Sequence, residues 1–420
     1  MVRRLYSLLL YLGLPLVWLR LLWRSRRQPG YRRNLGERWG YYRAAPARPL
    51  IWLHAVSVGE TRATQPLVEA LQARFPDHDI LLTCMTPTGR EAGTQIFGSR
   101  VLQAYLPYDY PGATRRFLAH FRPRLGILME TEIWPNLLAA ARHAGLPVLL
   151  ANARLSERSA RGYARFAALT GPAFASLAGV AAQTEGDAAR LQSLGASRVE
   201  ICGNLKFDVA PNPEKLALGR SWRQAIGGRP VWLAASTREG EEALILDALA
   251  ARPLPAGTLL LLVPRHPQRF DTVAALAAAR GFSVGRRSAG LPDAGTTIWL
   301  GDSMGEMAAY FTLADLAFVG GSLLPLGGQN LIEAAACGCP VLVGPHTFNF
   351  AQATTDAIAA GAARRVADAG NLVDSSRELL ASRDRLTAMA AAARDFAAAH
   401  RGATQRTVDL IGCWLDPAGR

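Results

Sequence analysis

The sequence predicts an α/β protein built from two doubly wound parallel-sheet domains, and three observations carry that prediction. From residue 50 onward, short apolar runs alternate with helix-length segments rich in Ala and Leu. That is the pattern of parallel strands covered by helices on both faces. The alternation stops at "DVAPNPEKL" (208–216) and then starts afresh. At 420 residues the chain has room for two such domains, each with its own core.

The elements follow in order. Residues 5–23, "LYSLLLYLGLPLVWLRLLW", are apolar apart from Ser7 and Arg20 and are flanked by basic residues. The stretch approaches the ~20 residues that cross a bilayer. It is followed by "RSRRQPG", which offers no small-residue cleavage site. Arginines after it outnumber those before, which places the main body on the cytoplasmic side. Pro15 and Arg20 fit an interfacial or partly inserted anchor nearly as well, with Arg20 snorkelling to headgroups. A buried core helix is the bland alternative, and the flanking arginines oppose it.

Residues 1–50 carry eleven arginines against one acid, Glu37, so +10 of the net +14 lies in one short segment. Such a belt suits an anionic membrane surface. A nucleic-acid partner would need basic patches interleaved with aromatics across the folded body, and none is expected. Five cysteines, at 84, 202, 337, 339 and 413, have no metal-type spacing and fit a reducing compartment.

Strands are expected at 50–56, 79–84, 101–105, 124–129, 147–151, 179–182 and 199–202. After the break they are expected at 231–235, 258–263, 282–285, 296–300, 316–319 and 340–343. The organisation read from this is an anchor over 1–27, a first domain over 28–207 and a second over 208–420, with the last helix able to pack back on the first domain. Doubly wound sheets place ligands at the carboxyl ends of their strands.

Polar groups cluster at those ends. "HAVSVGE" follows the first strand, "METEIWPN" includes and follows Met129, "AQTEGD" follows the sixth strand and "CGNLKFD" the seventh. Glu60, Glu130 and Lys206 therefore reach one rim. Glu60 is either a first-turn carboxylate complementing a helix dipole or a base. Glu130 and Glu132 could serve only the helix starting near Pro135, and Lys206 could be a solvated linker residue. Yet the chain has only two lysines, Lys206 and Lys215, among many arginines, which points to a need for a compact ammonium.

In the second half, "LVPRHPQRF" (262–270), "GDSMGEM" (301–307) and "VGGSLLPLGGQNLIEAAACGCPVLVGPHTFNF" (319–350) follow strands. Arg265 and His266 suit a phosphate. The Gly-rich turn before a helix suits an anion, and Glu333 a ribose hydroxyl. The one Asp-x-Asp string, "DHD" at 77–79, lies at the wrong edge of its sheet, and His54 and His346 lack ligand spacing and read as structural. No metal is expected.

Taken in order over essentially the whole chain, the anchor, "HAVSVGE", "ETEIWPN", "GNLKFD", "PRHPQRF", "GEM" and "GGQNLIEAA" through "TFNF" resemble the 3-deoxy-D-manno-octulosonic acid (Kdo) transferase family. These are inner-membrane glycosyltransferases of lipid A and lipopolysaccharide assembly. The resemblance implies a GT-B fold of two Rossmann-like domains facing across a cleft, the first binding the acceptor and the second the CMP-sugar. It implies CMP-Kdo as donor, a lipid A precursor of the lipid IVA type as acceptor, and catalytic domains on the cytoplasmic face of the inner membrane. Carried over by motif, Glu60 is the general base, and Glu130 and Lys206 stabilise the transition state. Arg265, His266, Gly305, Glu306, Met307, Asn330, Leu331, Ile332 and Glu333 hold CMP. No cofactor is implied. The chain departs from the pattern at Gln329, where many relatives have His, and at Arg238 of "ASTREGEE" (235–242). Gln cannot titrate near neutrality, which puts an acid–base role there in doubt.

The chemistry is coherent with this. A carboxylate near the attacking hydroxyl suffices as base, and a second acid nearby raises its pKa. A nucleoside monophosphate leaving group makes a divalent cation less necessary, since Lys206 and Arg265 can neutralise it. Two alternatives stay open: another membrane-associated GT-B transferase using a UDP-sugar, and a non-catalytic membrane-bound nucleotide-sugar binding protein. Provision for a diphosphate would favour the first, and a substituted base the second.

Overall fold

The computed structural model describes residues 1–43 and 45–415. The chain divides into two compact units, one formed by residues 1–209 with the C-terminal segment from Arg401, the other by residues 210–400.

The first unit holds a sheet of β1 (Leu50–His54), β2 (Asp79–Cys84), β3 (Leu102–Tyr105), β4 (Leu125–Met129), β5 (Val148–Ala153), β6 (Gly179–Ala182) and β7 (Val199–Ile201). Their order is β3-β2-β1-β4-β5-β6-β7, and the pairings are parallel. β1 is buried along its whole length, as expected of a central parallel strand with both faces covered. On one face Leu50 and Trp52 pack with Phe117, Phe121 and Leu137 from the helices Pro111–Phe121 and Pro135–His143. On the other, Ile51 and Leu53 pack with Leu67 and Leu71, and with Leu410 and Ile411 of the last helix, Ala403–Leu415. Asp208 fixes that helix by accepting from the N–H groups of Gly402 (2.7 Å) and Thr404 (2.5 Å).

Trp52 on β1 lies opposite Gly126 on β4. A Cβ at Gly126 would come within 2.8 Å of the Trp52 ring, so glycine is what lets the indole lie over β4 on that face of the sheet.

The second unit holds β8 (Val231–Thr237), β9 (Leu259–Pro264), β10 (Val284–Arg286), β11 (Ile298–Leu300), β12 (Leu316–Val319), β13 (Val341–Val343) and β14 (Ala363–Arg365). Their order is β10-β11-β9-β8-β12-β13-β14. β14 is absent from the sequence expectation. It is an edge strand reading Ala-Arg-Arg, and charged residues are how natural sheets blunt an edge.

The N-terminal apolar stretch corrects the expectation of one anchor helix. It forms two helices, α1 (Val2–Leu12) and α2 (Leu14–Arg27). No single helix among the described residues is long and apolar enough to cross a membrane; the pair passes that test only together, bent by 50°. The break has a cause: Gly13 ends α1, and Pro15 in the first turn of α2 has no N–H to continue the ladder from α1. α1 lies on the first unit. Tyr6 donates to Asp109 Oδ2 (3.1 Å), Ser7 to Asn136 Oδ1 (3.0 Å), and Tyr110 donates to the Leu10 carbonyl (3.0 Å).

Nor is the whole basic belt turned outward. Arg38 is 1% exposed, with its guanidinium 4.2 Å from the Tyr105 ring centre and near the rings of Tyr31 and Tyr108. It donates to the Met85 carbonyl (3.2 Å), and neighbouring Glu37 pairs with Arg90 at 2.7 Å. These residues pin the chain before β1 to the sheet. Asp79 of "DHD" is also engaged, accepting from the N–H groups of Ala47 and Arg48.

Candidate active site

In the first sheet the strand order turns between β1 and β4: the chain builds outward through β2 and β3 on one side and through β5 to β7 on the other. Such a switch point opens a crevice at the carboxyl ends, because the flanking connections leave in opposite directions. Glu60 follows β1 and Glu130 follows β4, so both belong to it.

Glu60 sits in the first turn of the helix Val58–Ala63, whose N-cap is Ser57. Its N–H donates to Ser57 Oγ (3.3 Å). In return its carboxylate accepts from Ser57 Oγ at Oε1 (2.9 Å) and from Val56 N–H at Oε2 (2.8 Å). This is a capping box in which the Glu reaches one residue further back than usual. The box fixes the rotamer and uses one acceptor site on each oxygen, leaving a second lone pair on each. Burial first, and the charges of Glu130 and then Glu132 with it, lift the Glu60 carboxyl from 4.5 to about 7 against the two hydrogen bonds. A carboxylate that titrates near neutrality, held in one direction, meets the geometric and acid–base demands on a base.

Glu130 has φ +57°, a left-handed backbone that is rare for a residue with a side chain. Its Oε1 lies 3.2 Å from Lys206 Nζ, with both side chains about one-fifth exposed. Lys206 follows β7, three strands away from β4 in the sheet. The loop comes back because Asn152, at the end of β5, accepts the Leu205 N–H at its Oδ1 (3.0 Å). Asn204 caps the turn by accepting Lys206 N–H at 3.0 Å. Asn152 is therefore a positioning residue that the sequence reading missed. Its only signal was a polar residue inside "LLANARL", just past an apolar run.

Around the pair, Glu132 accepts from Trp134 Nε1 (2.7 Å) and burial raises its pKa. His54, at the end of β1, is fully buried. Its Nδ1 lies 2.9 Å from Thr83 Oγ1, and burial lowers its pKa to about 3, so it is neutral and not a base.

In the second unit the residues expected to hold CMP lie on three carboxyl-end loops, after β9, β11 and β12. Arg265 donates its N–H to the Thr237 carbonyl (2.9 Å) and is half-buried, while His266 is exposed. Desolvation lowers the His266 pKa, and Arg238, Arg265 and Arg269 lower it further. Gly305, at φ +77°, has open space where a Cβ would be. Met307 opens the helix Met307–Leu313.

Glu306 is braced rather than open. Ser303 donates to its Oε2 (2.5 Å), Arg287 Nε lies 3.3 Å away and Lys215 Nζ 4.0 Å. Leu331 and Ile332 bury their side chains, which leaves only backbone for a ligand. Asn330 accepts the Ile332 N–H (3.1 Å) and donates to Glu333 (3.1 Å), so the helix start expected to receive an anion is partly capped by its own side chain. Gln329 donates its N–H to the Gly320 carbonyl (3.0 Å).

Two buried acids unforeseen from the sequence shape these loops. Glu241 accepts N–H groups from Arg238 (2.9 Å), Gly321 (2.6 Å) and Leu323 (3.0 Å), tying the ends of β8 and β12 together. Glu242 takes a bidentate pair from Arg269 at 2.6 and 3.0 Å. Among the described residues no group of three or more His, Cys, Asp or Glu side chains is placed to hold a metal ion.

Residues 33–209 match the family model described as 3-deoxy-D-manno-octulosonic-acid transferase (kdotransferase). Over 435 aligned residues the chain is 50% identical to the 3-deoxy-D-manno-octulosonic acid transferase of Bordetella pertussis, covering 99% of this chain and 100% of that one. It is 39% identical over 430 residues to the enzyme of the same name from Haemophilus influenzae, covering 99% of each. Among solved structures, a putative UDP-N-acetylglucosamine 2-epimerase from Listeria monocytogenes is similar in fold alone. Its TM-score is 0.60 at 16% identity, over 89% of this chain and 98% of that one. The chain belongs to the 3-deoxy-D-manno-octulosonic acid (Kdo) transferase family, glycosyltransferases of lipopolysaccharide biosynthesis.

Proposed function

We propose that the chain moves Kdo from CMP-Kdo to a lipid A precursor of the lipid IVA type, at the cytoplasmic face of the bacterial inner membrane, with Glu60 as general base and no metal. The observation that supports this most is the Glu60 carboxylate, oriented by its capping box, shifted to about 7 and set beside the Glu130–Lys206 pair.

In this mechanism the acceptor hydroxyl attacks the anomeric carbon of Kdo as the bond to the CMP phosphate oxygen breaks. Glu60 takes the hydroxyl proton. Positive charge develops on the sugar, and Glu130, anchored by Lys206, stabilises it. Arg265 and His266 hold the departing phosphate, Gly305 lets the backbone approach the nucleotide, and Glu306 keeps the "GEM" loop in shape. Met307 flanks the nucleotide, Asn330 and Glu333 meet the ribose, and Leu331 and Ile332 contribute backbone only. The exposed apolar face of α1 and the arginines beside it support the reading of a protein held on an anionic membrane surface.

The test incubates purified wild-type protein with tetraacylated lipid A precursor, CMP-Kdo generated in situ and EDTA, and weighs the lipid by mass spectrometry. Mass increments of whole Kdo units in EDTA are expected. Increments that require restored divalent cation would overturn the metal-free mechanism, and none under either condition would overturn the donor and acceptor assignment.

A further inference from the structure

A groove of about 480 Å³ runs between α1 and the helices Pro111–Phe121, Pro135–His143 and Ala167–Ala175 of the first unit. Its lining includes Arg3, Arg115, Arg142 and His143, and no Asp or Glu. All four basic side chains are exposed, and Arg115 is steadied by a bond from Nε to the Pro111 carbonyl (3.1 Å). Part of the remaining wall is apolar, with Leu169 and Pro172. The groove plays no part in the chemistry assigned to Glu60, Glu130 and Lys206.

α1 explains what such a groove is beside. Tyr6, Ser7 and Leu10 make the hydrogen bonds to the unit, and Arg3, one turn earlier on that side, enters the groove. The opposite side presents Leu5, Leu8, Leu9 and Leu12, which are 54–69% exposed. A leucine stripe spaced i, i+3, i+4, i+7 and left uncovered is the apolar half of an interfacial helix. Four basic groups without a carboxylate in the lining suit an anion, the wall of Leu169 and Pro172 beside them suits the start of an acyl chain, and the stripe on the far side of α1 suits the hydrocarbon of a leaflet. A single anionic glycerophospholipid supplies the first two.

We propose that this groove binds the phosphate headgroup of one anionic phospholipid, whose acyl chains leave the groove along its apolar wall of Leu169 and Pro172. The proposal rests on the membrane association inferred above. The bound lipid fixes the depth of α1 in the leaflet, and through the Tyr6–Asp109 and Ser7–Asn136 bonds it steadies the start of the helix that follows the Glu130 loop.

The test uses the full chain and a monodisperse lipid. Dihexanoyl phosphatidylglycerol below its micelle concentration is titrated by calorimetry, with dihexanoyl phosphatidylcholine and inorganic phosphate as comparisons. One equivalent of phosphatidylglycerol is expected to bind, more tightly than either comparison. The Arg115→Ala/Arg142→Ala double variant should weaken it roughly thirty-fold, the effect of two phosphate-facing cations. Arg26→Ala/Arg33→Ala, which removes two exposed arginines of the belt outside the groove, should leave it unchanged.

Equal binding of inorganic phosphate would overturn the lipid assignment in favour of a soluble anion. Equal binding of phosphatidylcholine, or no loss in the groove variant at an unchanged melting temperature, would overturn the headgroup site. A parallel flotation with phosphatidylcholine vesicles, with and without phosphatidylglycerol, separates the two levels. Failure of wild type to bind the anionic vesicles refutes the membrane reading itself, whereas flotation without a groove effect refutes only the groove.

Discussion

Replacing Glu60 by Gln separates two jobs that one side chain holds. As a cap, Gln serves nearly as well as Glu: its amide oxygen accepts the Val56 N–H, and its NH₂ donates to Ser57 Oγ. As a base it cannot serve at all. The structural change is therefore small, while transfer should fall by a factor on the order of 10²–10⁴.

Stability gives a second reading of the same substitution. The wild-type carboxyl rises from 4.5 to about 7 on folding, chiefly by burial. A shift of that size corresponds to roughly 3 kcal/mol. The folded protein holds this proton more tightly than the unfolded chain. The stability linked to it is therefore fully present below about 4.5, is lost as pH rises to about 7, and stays lost above. Gln never ionises, so the stability of Glu60→Gln relative to wild type should climb across that window and level off. Urea melts near the two ends of the window measure it. Glu60→Ala removes the cap as well and should lie about 1 kcal/mol below Gln at every pH. Wild-type kcat/KM should rise about tenfold per pH unit below about 7 and flatten above it. If Glu60→Gln turns over within about tenfold of wild type, Glu60 is a helix cap and the base lies elsewhere.

Three further outcomes follow from the same geometry. Glu130→Gln removes a negative charge that raises the Glu60 pKa, so the acid limb of the residual pH–rate profile should move to lower pH; an unmoved limb would show that the two acids do not interact. Asn152→Ala frees Leu205 N–H and with it the Lys206 turn. It should cost about 1 kcal/mol in urea melts and lower kcat at little change in the donor KM, whereas equal losses in the two units' ligands would point to general unfolding. Gly126→Ala drives a methyl into the Trp52 ring and should destabilise the first unit by about 1–3 kcal/mol, read as a lower melting temperature with kcat preserved on the surviving folded fraction.

Much of the fold was legible because buried parallel strands read as unbroken apolar runs, and β1, β4, β5 and β9 are buried from end to end. β14 was not legible, since an edge strand of Ala-Arg-Arg has the composition of a helix surface. The bend in the anchor was half legible: Pro15 was visible, but that it divides the stretch into two helices depends on Gly13 ending the first. The site was legible only one residue at a time. Glu60 announces itself in Ser-x-x-Glu, yet that pattern alone says cap. The contact between Glu130 and Lys206 spans 76 positions and exists because Asn152 pulls one loop over, which no local pattern records. Leu331 and Ile332 belong to the core although they sit inside a ligand motif, because apolar residues at a loop–helix junction turn inward.

The two units solve the placement of their loops in the same physical way. In the first, the β5–β6 pairing shifts register between Leu150 and Ala153, and Asn152 within that shift has φ +52°. In the second, the β8–β9 pairing shifts between Ala235 and Thr237, and Ser236 within it has φ +55°. A bulge with a left-handed residue re-aims a strand end at a cost of about 1–3 kcal/mol, and it persists only where surrounding bonds over-determine it. Those bonds are present in each case: Asn152 Oδ1 holds Leu205 N–H, and Glu241, five residues past Ser236, holds the N–H groups of Gly321 and Leu323. In both units the side chain that does the holding is buried and takes no part in the proposed chemistry. Each fixes backbone that carries or borders a residue assigned to the chemistry: Lys206 in the first unit, and the loop leading to Asn330 in the second. Glu130 shares the left-handed backbone but is itself half of the ion pair, so its strain is offset by the Lys206 contact together with the bond from its N–H to the Ala151 carbonyl (3.0 Å). Lys206→Met should accordingly release the Glu130 backbone, and proteolysis within the 130–134 loop should quicken in that variant while cleavage elsewhere in the unit is unchanged.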